Sequence, residues 1–139
     1  MSWINEEIDL NVMNSMARGM VKHLDIEFTA IDEEGITASM PVSEKAQQPF
    51  GILHGGATAA LAETVGSFAS YLIVKNDGKT SVGMEINAQH LRSVTEGSVH
   101  AKAVPVHLGR KIHVWDIRVT DDKERLIAIC KLTNMIIDA

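Results

Sequence analysis

The chain of 139 residues is poor in cysteine, proline and aromatic side chains: one Cys, three Pro and 4% Phe, Trp and Tyr. A lone cysteine, Cys130, excludes an internal disulfide framework and points to a reducing compartment such as the cytoplasm. No Pro-, Gly- or Ser-rich tract interrupts the chain, so residues 1–139 read as one domain, long enough for a single core. Basic residues are outnumbered, 13 against 18 acidic ones, and form no block, which argues against nucleic acid and against an anionic membrane surface as the main partner. The opening stretch MSWINEEIDL is acidic and has no apolar centre, so it does not read as a signal peptide. Walker and dinucleotide glycine fingerprints are missing; no ATP or NAD site, and no cofactor, is expected. His100, His107 and His113 lie apart, without ligand spacing or paired cysteines, so no metal is expected either.

One stretch is unusually rich in apolar residues. QPFGILHGGATAALAETVGSFASYL, from Gln48 to Leu72, opens on turn residues (Pro49, Gly51), reads His54-Gly55-Gly56, and continues almost entirely in small and apolar side chains. Ala and Leu favour helix, and the run is too long for one strand. With no face continuously polar, this helix is expected to be buried all round, not to span a membrane. Its one ionisable group is Glu63, with Ser67 one turn further on the same face. The glycine pair would present free backbone N–H groups at the positive end of the helix. A lone Glu in an apolar helix can simply face a solvated crevice. A donor-rich helix start, a His, an amide (Gln48) and a buried carboxylate together suit attack on a carbonyl better than packing alone.

The remaining chain reads as strands. Leu24, Ile26, Phe28 and Ala30 alternate with polar residues, as do Ile36, Ala38, Met40 and Val42 after the turn at 32–35, and Pro41 marks a strand end. Met13, Met16, Met20 and Leu24 recur at helical spacing, a flank packed on the sheet. Val82, Met84, Ile86, Ala88 and His90 are expected on one face of a third strand, turned toward the helix. Strands around 99–103, 111–120 and 125–137 follow. One early buried helix among several consecutive strands implies an α+β domain with a mostly antiparallel sheet of five to six strands.

The ordered pattern Gln48-Pro49-Phe50-Gly51-x-Leu53-His54-Gly55-Gly56, then Leu61-Ala62-Glu63 and Gly66-Ser67, resembles the hotdog-fold acyl-CoA thioesterases, in the 4-hydroxybenzoyl-CoA thioesterase branch with a Glu on the central helix. The similarity runs from Trp3 to the last strand. It implies a curved sheet wrapped around one long helix and hydrolysis of an acyl-CoA thioester, with an aryl acyl group as the expectation. It assigns Glu63 as nucleophile or general base, the Gly55 N–H as oxyanion donor, Gln48 and His54 as carbonyl partners, and Ser67 as the group orienting water or Glu63; some relatives have Thr at that place, which keeps the hydroxyl. It adds His90, in Asn87-Ala88-x-His90, and Val82 to the substrate side. Arg92 and Ser93, joined with the loop His107-Leu108-Gly109-Arg110-Lys111, would meet the phosphates of coenzyme A. Alternatives are a carrier-protein thioester as substrate, a hotdog dehydratase and a non-enzymatic acyl-CoA sensor. Phe50, Phe68 and Tyr71 either line an aryl pocket or fill the core.

Gly55 and Glu63 stand eight residues apart, roughly 12 Å along a helix axis, while both must come within about 3 Å of one carbonyl group. Two antiparallel helices about a two-fold axis meet that demand, so a homodimer with shared sites is expected, and the resemblance adds pairing of dimers into tetramers.

Overall fold

The computed structural model describes residues 3–139; Met1 and Ser2 of the expected domain lie outside the described residues. Two short helices, α1 (Leu10–Ser15) and α2 (Gly19–His23), precede the hairpin of β1 (Glu27–Ile31) and β2 (Ile36–Pro41). The long helix α3 (Gly55–Val74) follows, then β3 (Lys79–His90), β4 (Ser98–Leu108), β5 (Ile112–Asp121) and β6 (Leu126–Asp138). The six strands form one sheet in the order β1-β2-β4-β5-β6-β3, antiparallel in every pairing. α3 contacts β2 through β6, so the sheet has to bend around it, which is the hotdog arrangement. Period-two patterning with small residues on the inner face (Ala38, Ala101, Ala103, Ala128) leaves room for the helix, and Leu61, Val65, Trp115, Ile117 and Leu132 fill the layer between them. The approach is tight at Gly66, where an added Cβ would stand 2.6 Å from Leu132 Cδ2.

Three expectations change. α3 is not buried all round. Leu61, Ala62, Val65, Gly66 and Ala69 are covered by the sheet, but Ala59, Ala60, Glu63, Thr64 and Ser67 form a half-open stripe on the other side. By length and composition α3 is apolar enough to cross a membrane, yet over half of its apolar window is buried in this fold. Second, β3 does not keep one face. Its pairing with β6 slips between Gly83 and Glu85. A bulge inserts one residue and reverses the alternation beyond it. Ser81 and Gly83 therefore face α3 before the bulge, Ile86, Ala88 and His90 after it, and Val82 and Met84 are exposed. Third, Ala30 is exposed because β1 slips in the same way between Phe28 and Ala30.

Candidate functional site

The start of α3 is built around its cap. His54 is extended (φ −70°, ψ 131°) and its Nδ1 accepts from the Gly56 N–H at 2.7 Å, while its carbonyl takes the Ala57 and Thr58 N–H groups. The Gly55 N–H is left without an acceptor among the described residues, at the positive end of a 20-residue helix. Gln48 sits in a tight turn closed by the Gly51 N–H onto the Gln48 carbonyl at 3.0 Å. Its Oε1 accepts from the Phe50 N–H, so the amide NH2 remains as a donor. Gln48, Gly55, His90, Arg92 and Ser93 line one cleft of about 400 Å³. The His90 ring lies directly against Gly55: a Cβ there would be 2.9 Å from Nε2.

Glu63 and Ser67 lie elsewhere, in a groove of about 670 Å³ with Gly56, Ala59, Ala60, Thr64, Tyr71 and Ser81 on its walls. The Ser81 hydroxyl donates to the Ser67 carbonyl at 2.9 Å and ties β3 to the helix beside it. The Glu63 carboxylate has no ion pair or hydrogen bond among the described residues. It rests against Gly83, where a Cβ would come within 2.5 Å of Oε2. Sequence reasoning missed Gly83, although a Gly inside a strand pattern is the signal of a bulge or a close approach. The two halves of the expected site are thus separate in one protomer, roughly 12 Å apart along α3.

The basic loop is at the far end. Arg110 and Lys111 form the tip of the β4–β5 hairpin and share a groove with Lys79, Met135, Ile137 and Asp138; Lys79 and Asp138 are ion-paired at 2.9 Å. His107 folds over Gly109, leaving 2.6 Å between its Nε2 and an added Cβ. Arg92 and Ser93 follow His90, which pairs with Ala128, whereas Lys79 pairs with Asp138 at the opposite end of β3. Eleven residue steps of about 3.3 Å separate these ends, so the expected union of Arg92 and Ser93 with the loop 107–111 does not occur within one protomer. Val82 is also corrected: the bulge turns it to the outer face of the sheet, away from His90.

Beneath the helix lies a buried polar group that the sequence did not announce. Ser70 Oγ accepts from Trp115 Nε1 at 2.8 Å and from Asn134 Nδ2 at 2.9 Å, so its own proton goes to His113 Nδ1 at 2.9 Å. Asn134 also donates to the Gly66 carbonyl at 3.2 Å, pinning the turn that carries Ser67. Burial lowers the His113 pKa, and a hydrogen bond to the Gly109 backbone only partly opposes it. With the folded pKa below the unfolded value, the unfolded chain binds the extra proton first. The stability this neutral ring contributes is complete above the unfolded pKa of about 6.5 and is lost as pH falls toward the lowered folded value. Urea unfolding of wild type and His113→Gln at pH 7.5 and 5.5 checks this: wild type should lose more stability between the two, and equal losses would remove His113 as the cause. Cys130 is no nucleophile, because burial pushes its thiol up to about 11.

Comparison with known proteins agrees with this architecture. The family model described as the thioesterase superfamily matches residues 50–128. The 1,4-dihydroxy-2-naphthoyl-CoA hydrolase of Escherichia coli is 45% identical over 138 residues, 99% of this chain and 100% of that protein. The proofreading thioesterase EntH of Cronobacter turicensis is 42% identical over 137 residues, 98% of each. Among solved structures, thioesterase HI1161 from Haemophilus influenzae superposes with a TM-score of 0.91 at 44% identity, over 96% of this chain and 93% of that one. A mutant thioesterase PA1618 from Pseudomonas aeruginosa gives 0.95 at 44% identity, over 99% and 100%. With a family match across more than half its length and full-length relatives of this identity, the chain belongs to the thioesterase superfamily and is a hotdog-fold thioester hydrolase.

Proposed function

We propose that the protein hydrolyses an aryl-CoA thioester to the free acid and coenzyme A in the cytoplasm, in sites shared between two subunits. The observation that carries this reading is the split: a free N–H at Gly55 in one cleft, and an unpaired carboxylate at Glu63 in another. β3 is a free sheet edge, able to pair with a second copy. Gly55 abuts His90, and Glu63 abuts Gly83. A two-fold axis beside Ala59 on α3 and close to Ile86 and Asn87 on β3 therefore satisfies both elements at once. It brings Gly55 of one subunit to Glu63 of the partner subunit, and the small side chains of Ala59 and Ala60 permit the helices to approach. The same register carries Arg92 and Ser93 toward Lys79, Arg110 and Lys111 of the partner subunit, joining the phosphate-binding groups that one chain keeps apart. Apolar residues on the outer sheet face, Val82, Met135 and Ile137, would serve pairing of dimers.

In the mechanism, the Gly55 N–H and the Gln48 amide polarise the thioester oxygen, with His54 beside them and His90 closing the cleft. Glu63 of the partner subunit attacks the carbonyl carbon or takes a proton from the attacking water, which Ser67 orients. The tetrahedral adduct re-forms its carbonyl and breaks the C–S bond, expelling the thiolate of coenzyme A, which needs little help from an acid. Where Glu63 itself has attacked, water then hydrolyses the acyl–Glu63 anhydride, releasing the acid and restoring the carboxylate. The test is release of free thiol from a panel of aryl-CoA, aliphatic-CoA, carrier-protein and short non-nucleotide thioesters. Aryl-CoA should be hydrolysed best, and Arg110→Ala should raise KM for CoA esters by about tenfold, roughly one phosphate contact, and leave the short thioesters unaffected. Preference for the carrier-protein thioester, or no thiol release at all, would overturn the assignment.

A further inference from the structure

The groove that holds Glu63 does not end at Phe68. Behind that ring is a second cavity of about 130 Å³, walled by Met13, Met16, Ile26 and Phe28; Val21, Thr64 and Phe68 line both spaces. Phe68 stands between them, its ring 4.9 Å from that of Phe28 at a tilt and 5.5 Å from that of Tyr71 edge to face. Its lining holds the polar side chains of Asn14 and Thr64, which are engaged, and the exposed Arg18. Asn14 binds the Phe28 N–H and carbonyl at 2.8 and 3.0 Å, and Thr64 Oγ1 donates to the Ala60 carbonyl at 2.6 Å. Apart from these three residues the lining is thioether, methyl and ring. An apolar cavity of about 150 Å³ stays dry and takes a guest of benzene size. The wall opposite α3 is made of helices of six and five residues, and its methionines are adaptable fillers; Met16 and Met20 are more than half exposed.

We propose that this chamber is a distal acyl subsite with Phe68 as its gate. It takes the far end of an acyl group, a ring or an alkyl terminus of about six carbons, when that group extends past the part seated beside Glu63. The subsite rests on the reading of the Glu63 groove as the acyl site.

The experiment measures thiol release from straight-chain CoA thioesters of graded length by wild type, Ala17→Phe and Phe68→Ala. Ala17, in the α1–α2 link, lines only the chamber. Its replacement by Phe should lower the ratio of kcat/KM for long over short chains about tenfold, and Phe68→Ala should raise that ratio. Met16→Phe serves as a second filling variant if Ala17→Phe does not fold. An unchanged ratio in folded filling and opening variants, with hydrolysis of short chains intact, would overturn the subsite alone. No hydrolysis of any CoA thioester by wild type would overturn the hydrolase reading and the subsite with it.

Discussion

Replacing Glu63 with Ala is expected to cut kcat by roughly 10²- to 10⁴-fold, the range for a lost acid–base group, and to move KM little. The effect should be confined to chemistry because the carboxylate carries no structural bond. It has no hydrogen-bond or ion-pair partner among the described residues, and it rests against Gly83. Its removal orphans nothing and relieves a half-buried charge, so the melting temperature should hold or rise. Steady-state kinetics with a thermal melt on the same sample decides the matter. Near-normal turnover in the folded variant would take Glu63 out of the mechanism.

Gly55→Pro should cost about as much as losing one oxyanion donor, roughly 10²- to 10³-fold in kcat. A backbone N–H can be deleted here because Gly55 is the first residue of α3, where proline is well tolerated. His54, at φ −70° and ψ 131°, already has the conformation preferred before proline. The proline ring will also press on His90, so Gly55→Ala is the control: it adds the same first carbon and keeps the N–H. The alanine variant should retain most of its activity. Equal losses in both would trace the effect to crowding of His90 and remove the oxyanion role.

The helix and the six strands were legible in the sequence because they rest on local signals: apolar run length, period-two alternation and turn residues. His90 was placed toward the helix correctly, and Val82 was not, for one reason. Apolar residues at 82, 84, 86 and 88 keep their spacing whether or not a bulge intervenes, so the pattern cannot register that Met84 is an extra residue and that Val82 has switched sides. The open stripe on α3 was hidden in a similar way: Ala59 and Ala60 suit a packed face and an uncovered one equally. Gly83 against Glu63, and Ser70 against His113, Trp115 and Asn134, join residues far apart in the chain. They follow from strand register, which no local window contains. The resemblance gives Arg92 and Arg110 alike to the phosphates; only the pairing of β3 with β6 shows that one chain holds them at opposite ends.

The shared site is the central claim, and mixed dimers test it most directly. Glu63→Ala and Gln48→Ala, each inactive for a different half of the site, are unfolded together in equal amounts and refolded. Random pairing makes about half of the dimers mixed, and each mixed dimer assembles one site with both halves intact and one with both lesions. Activity should recover to roughly a quarter of that of wild type, with each variant refolded alone staying at its own background. A mixture no more active than the average of the two, with exchange of subunits confirmed by native mass spectrometry, would place the whole active site within one chain.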